Sequence, residues 1–120
     1  MAWKDALQQG QEIVIATSSK DGKPHAIIVI SLGLVDGKLL IGACQMKTSQ
    51  KNIKENNKVS IVAKRDGEYY RVDGLAEIHS SGKYFDIALE KSKDNPPLPK
   101  HAITIDIKEV FDLDKGKKIL

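Results

Sequence analysis

The chain has one cysteine, few aromatic residues and no apolar run long enough to cross a bilayer, and each scarcity closes off a class of protein. Cys44 cannot form an internal disulfide and has no companion for a zinc site, so the fold must hold by its own core, as in a reducing compartment. Aromatics make up 5% of the residues and do not interleave with a basic stripe, which leaves single-stranded nucleic acid little to stack on. His25, His79 and His101 lie far apart without ligand spacing, so no metal site is expected. The opening residues lack the long apolar core of a signal peptide, no membrane association is expected, and the cytoplasm is the expected compartment. The net charge of +3 comes from scattered lysines and argues for solubility more than for a nucleic-acid footprint.

What is present fits one soluble globular domain over residues 1–120, with 41% apolar and 29% charged residues. Asp-Gly dipeptides at Asp21, Asp36 and Asp66 each lie between apolar or β-branched runs. Asp-Gly tolerates the positive φ angles of tight hairpin turns, so their recurrence predicts successive antiparallel strands in a meander. Strands are expected at 12–18, 24–34, 38–43, 58–64, 68–79 and 102–113, enough to close a small barrel. The unbroken run Ala26-Ile27-Ile28-Val29-Ile30 suggests burial on both faces, one of them toward a partner subunit or ligand. In contrast, Ile103, Ile105 and Ile107 alternate with Thr104, Asp106 and Lys108, which predicts a strand with one wet face.

Helices are expected at 3–9, 48–56 and 81–91, the last plugging a barrel end, and the three prolines within 93–100 mark an extended loop that delivers the final strand. The segment 45–62, QMKTSQKNIKENNKVSIV, carries the strongest functional signal. Thr48 can act as N-cap, leaving the amides of Ser49, Gln50 and Lys51 free where a helix start already bears partial positive charge. Lys47 and Lys51 add to that charge. Cations at this end disfavour the helix by a few tenths to about 1 kcal/mol, and a bound phosphate would explain them. A solvated helix start is the plain alternative.

The order and spacing of IVIATSSKDGKPHAIIV, DGKLLIGACQMKTSQKNI, ENNKVSIVA and VDGLAEIH resemble the pyridoxamine 5'-phosphate oxidase-like FMN-binding split barrels, and the chain is similar in length to the small stand-alone members. The resemblance implies a mainly β fold, a six-stranded antiparallel split β-barrel with short helices. It also implies a homodimer with FMN at its interface. By the same resemblance, Lys47, Thr48 and Ser49 would hold the phosphate, with Lys51 assisting and Asn52 positioning. Ala43, Cys44, Gln45 and Met46 would follow the flavin edge, opposed by Ile28, Val29, Ile30 and Ser31. Tyr69, Tyr70 and Arg71 would reach across the dimer. Each has a plainer reading: β-branched residues pack, a lone cysteine is usually a small buried hydrophobe, and an asparagine in a helix often bonds local backbone.

The implied activity is electron transfer or reduction of an unidentified small molecule, with a nicotinamide or a protein as electron donor. Arg71 is the last arginine, so the C-terminal segment lacks the Arg and His pairing that true pyridoxamine phosphate oxidases use for substrate. Oxidation of pyridoxamine phosphate itself is therefore not expected. Two other readings stay open: a non-catalytic barrel that binds a different phosphorylated ligand, and, less favoured, a nucleic-acid-binding barrel using Lys47, Lys51, Lys54 and Lys58.

Overall fold

The computed structural model describes residues 2–120. A short helix α1 (Ala2–Asp5) precedes strands β1 (Glu12–Ser18), β2 (Pro24–Val35) and β3 (Lys38–Ala43). Helix α2 (Lys47–Glu55) then leads to β4 (Lys58–Arg65) and β5 (Glu68–His79), and α3 (Lys83–Ser92) to β6 (His101–Asp112) and a two-residue β7 (Lys117–Lys118). Two of the Asp-Gly turns carry positive φ at both positions, 54° and 77° at Asp36 and Gly37 and 52° and 78° at Asp66 and Gly67, as type I′ hairpins require. At Asp21-Gly22 the connection is wider, closed by the Ser19 amide donating to the Lys23 carbonyl at 3.0 Å.

The strand order is β3-β2-β1-β4-β5-β6, and antiparallel pairing of β3 with β6 closes a six-stranded barrel. This departs from a simple meander, because β4 pairs with β1 and not with its predecessor β3. Two three-stranded units are joined by α2, which carries the chain from one to the other. Alternate residues such as Ile13, Ile15, Leu39, Ile41, Ile61, Val72, Ile103 and Ile105 fill the interior. Trp3, Ala6 and Leu7 join the same cluster, so the N-terminal segment supplies the inward plug that was expected of α3.

Helix α3 instead lies outside the closing strands. Ala88 packs with Leu32, Leu40 and Ala102, flanked by Tyr84, Phe85 and Ile87. This cover explains why the wet face expected of β6 is restricted to its second half: Ala102 and Thr104 are buried, whereas Asp106 and Lys108 reach water. The helix is tethered by Lys83, whose Nζ lies 2.6 Å from Asp36 Oδ2, and that ammonium holds the Asp36 carboxyl below its ordinary range. In β2, Ile27 and Val29 pack against the core, while Ile28 and Ile30 are 68% and 50% exposed on the outer face of this single chain, the face expected to meet a partner subunit or ligand.

At the β5–β6 irregularity, Gly74 lies so close to its neighbour strand that an added Cβ would collide with the Asp106 carbonyl oxygen. Backbone cannot step aside as a flexible side chain can, so Gly74→Ala is expected to destabilise the fold by about 1–3 kcal/mol. Unchanged denaturant or thermal midpoints for the variant would contradict this account of the bulge.

Candidate functional site

The junction between β3 and α2 is set by burial on both sides of it. Ala43 is the last interior residue of β3, and the Met46 side chain is buried in the core, so the chain must turn within residues 44–46. Met46, not Thr48, occupies the N-cap position, with no side-chain cap, and its carbonyl accepts from the Gln50 amide at 2.8 Å. The first helical amides, which lack intrahelical acceptors, are therefore those of Lys47, Thr48 and Ser49, while Gln50 is already paired. This moves the cap two residues toward the N-terminus from its expected position and leaves the Thr48 hydroxyl uncommitted to capping.

Ser49, Asn52 and Ile53 form the inward stripe of α2. Asn52 Nδ2 donates to Thr17 Oγ1 at 3.0 Å, joining the helix to β1 through two buried polar groups. Asn52 thus serves as an anchor of the helix, bonding neither local backbone nor the cleft described below. The Ser49 hydroxyl is fully buried and has no hydrogen-bond partner. An unsatisfied buried hydroxyl costs about 1–3 kcal/mol, so its place at a helix start is informative.

Two clefts meet over this junction. The first, of about 650 Å³, is bordered by Ile27 through Leu32 of β2, by Cys44, Gln45 and Met46, and by Asn95, Pro97 and Pro99 of the proline-rich loop. The second, of about 970 Å³, is bordered by Lys47, Thr48, Ser49, Gln50 and Lys51 at the start of α2, with His25, Lys54, Lys100 and His101 around them. Ile27, Cys44, Gln45 and Met46 border both, so the apolar cleft runs into the basic one. Glu55 is the one carboxylate bordering the second cleft. Among the described residues, Lys47, Lys51, Lys54 and Lys100 form no ion pair.

The expected site residues divide accordingly. Lys47, Thr48, Ser49 and Lys51 come together at the basic end, and Cys44, Gln45 and Met46 at the joint. Ile28, Val29, Ile30 and Ser31 border the apolar end. Ser31 brings no free hydroxyl, because it donates to the Leu7 carbonyl at 2.6 Å and accepts from the Gly33 amide at 2.9 Å. Ala43 lies beneath the site, its carbonyl accepting from the Lys100 amide at 2.9 Å. The half-buried Cys44 thiol donates weakly to the carbonyls of Pro97 and Leu98, at 3.6 and 3.8 Å, across from β3.

Of the three residues expected to reach outward from β5, Tyr70 does not. It is buried, and its hydroxyl bonds the Glu68 carboxylate, which pushes the phenol up to about 12. Tyr69 is exposed, and Arg71 lies with its guanidinium 4.2 Å from the Phe111 ring centroid. Arg71 Nε is 3.3 Å from Asp73 Oδ2, near enough for an ion pair but not aligned as a hydrogen bond. Sequence reasoning missed His25, Ile27, Lys100, His101 and the proline loop as site walls. Their signal was present only as the three prolines, and what they face depends on the long-range β3–β6 pairing.

Fold and site together define a split barrel with an apolar cleft that ends in a cationic, hydroxyl-bearing helix start. The chain matches the pyridoxamine 5'-phosphate oxidase family over residues 2–114 and belongs to it. An uncharacterized protein of Methanocaldococcus jannaschii is 34% identical over 114 residues, covering 90% of this chain and 76% of that protein. The crystal structure of HupZ from Group A Streptococcus superposes with a TM-score of 0.87 at 26% identity, covering 98% of this chain and 95% of that one. An FMN-binding protein from Syntrophomonas wolfei shares the fold with a TM-score of 0.71 at 15% identity, over 89% of this chain and 78% of its own.

The two buried polar side chains on α2, Ser49 and Asn52, predict opposite responses in the ligand-free protein. Asn52→Ala breaks a satisfied buried pair and should lower stability by about 1–3 kcal/mol. Ser49→Ala removes an unpaired group and should leave stability unchanged or raise it. Thermal or urea unfolding of both variants checks the contrast, and a large loss in Ser49→Ala would mean that its hydroxyl has a structural partner.

Proposed function

We propose that this protein binds FMN, with the phosphate at the start of α2, and acts in electron transfer or in reduction of a small molecule. The observation that carries the reading is the buried, unpartnered Ser49 hydroxyl beside the free amides of the first helical turn, within a cleft of unpaired lysines. A phosphate there accepts from Ser49 and Thr48, from backbone N–H groups and from Lys47 and Lys51, all charge-assisted bonds. Family membership points the same way.

The adjoining cleft suits the planar, partly apolar ring. Ile27 to Ile30 offer a hydrophobic wall, and main-chain groups of residues 44–46 offer polar contacts to a ring edge. When bound, the flavin supplies hydride or electron transfer. The chain's own residues bind and orient it and limit water on the β2 side. A nicotinamide or a protein donor would approach the ring's open face.

The proposal includes a homodimer. In register, Ile28 pairs with Val14, Val14 with Val62, Val62 with Arg71 and Arg71 with Phe111, which sets one row, apolar except for Arg71, across the outer face of four strands and onto β6. The row continues from Ile28 and Ile30, which already border the apolar cleft. A second copy seated here would cover exposed isoleucines and wall in the ring.

Two outcomes are expected. Fluorescence titration should show FMN binding far more tightly than riboflavin, and Lys47→Ala with Thr48→Ala should weaken FMN by about 100-fold or more, since each charged contact is worth about 1.5–3 kcal/mol. Equal affinity of the variant and the parent for FMN, with both folded, would refute the assignment. Light scattering after chromatography should give a dimer for the parent and a folded monomer for Ile28→Lys with Ile30→Lys; a dimeric variant would place the interface elsewhere.

A further inference from the structure

The basic cleft holds more positive charge than one phosphate monoester engages. Such a group carries at most about two negative charges, and the helix start offers it three amides, two hydroxyls, Lys47 and Lys51. Left over are Lys54, Lys100 and His101 on the same cleft. Lys54 is seven residues along α2 from Lys47, about 10 Å farther down the axis at 1.5 Å per residue, too far to share the phosphate held by the first amides. Lys47, Lys51 and Lys54 recur at spacings of four and three, which places like charges on one helix face and destabilises the helix by a few tenths of a kcal/mol per pair.

Lys100 and His101 arrive from a different element. The Lys100 amide bonds the Ala43 carbonyl, and His101 pairs with Ala43 in the β3–β6 register, which fixes both beside the end of β3. Among the described residues neither Lys54 nor Lys100 has a carboxylate partner. His101 Nδ1 is sealed from solvent with no hydrogen-bond partner, a second orphaned polar atom in the cleft wall. Lys54 and His101 also border a smaller adjoining hollow of about 330 Å³, so the cleft does not stop at the first phosphate position. Glu55 borders the cleft and Glu77 the hollow; they are the two carboxylates that face this group.

We propose that Lys54, Lys100 and His101 form a second anion subsite, separate from the flavin phosphate position. It takes a phosphate or carboxylate carried either by a longer flavin nucleotide or by the substrate. The proposal rests on the FMN reading, since it assigns the charge that FMN leaves unused. His101, which borders both the cleft and the hollow, supplies a ring N–H to the anion alongside the two ammonium groups. Substrates with a phosphate or carboxylate arm are thereby favoured over neutral ones.

The test uses Lys54→Ala with Lys100→Ala and, separately, His101→Asn, at one fixed physiological ionic strength because exposed charges are screened. Affinities for FMN and FAD are measured on the ligand-free protein, and binding of inorganic phosphate and pyrophosphate on the FMN-loaded protein. The double variant should keep FMN affinity within about threefold. A tenfold or greater loss for FAD alone would assign the second anion to the flavin nucleotide. A tenfold or greater loss of phosphate or pyrophosphate binding on the FMN-loaded protein, with the FAD to FMN ratio unchanged, would assign it to a separate substrate. His101→Asn should move the same affinity in the same direction. FMN bound as proposed, with neither of the other affinities altered by the variants, overturns the subsite and leaves the flavin reading intact; failure of FMN to bind overturns both.

Discussion

Closure of the barrel by β3 and β6 is the constraint on which the rest of the structure depends. These strands are about sixty residues apart in the chain, and their register places His101 opposite Ala43. That single pairing makes the interior continuous and creates the outer surface that α3 covers. It also sets the start of β6 beside the strand that enters α2. The site is a by-product of this closure. One wall comes from the β3–α2 turn, a second from β2, and a third from the proline loop and residues 100–101, which are near the helix start only because the barrel is shut.

The same helix start shows local stability set aside. Three lysines share a face of α2, two of them in the half of the helix where cations oppose the macrodipole, and no acidic residue lies in its first turn. A buried serine hydroxyl lacks a partner a few residues away from an asparagine that has one. The two side chains are three positions apart on the same stripe, so burial alone does not explain the difference. The anion proposed for this site would reconcile them: it would supply the acceptor that Ser49 and the free amides lack and remove the repulsion among the lysines, while the Asn52–Thr17 bond anchors the helix to β1.

Much of this was legible in the sequence where the determining physics is local. Asp36-Gly37 and Asp66-Gly67 located two tight turns because few residues accept positive φ, and period-two alternation located most strand faces. The cationic stretch at Lys47–Lys51 stood out because it contradicts helix preferences, and the structure does bring those residues together with Cys44–Met46. What failed to show was non-local. Thr48 reads as a cap by composition, but the buried Met46 side chain fixes where the helix begins. Thr104 reads as solvent-facing by alternation, but α3 lies across it, and its hydroxyl meets His79 Nε2 at 2.8 Å. The outer-face cover expected for Ile28 and Ile30 lies outside a single chain, which leaves them exposed. Lys100 and His101 carried no signal beyond the prolines that precede them, since their role follows from strand pairing and not from neighbours in sequence.

The central claim, that the cleft over the β3–α2 junction holds a flavin mononucleotide, is tested most directly by reconstituting the purified protein with excess FMN, removing the excess and recording the visible spectrum against protein concentration. A yellow protein with flavin approaching one per chain, its absorbance bands shifted from those of free FMN, is the result this account predicts. A colourless, folded protein would contradict it, and the anion recognised by Ser49 and the lysines would then have to belong to another phosphorylated ligand.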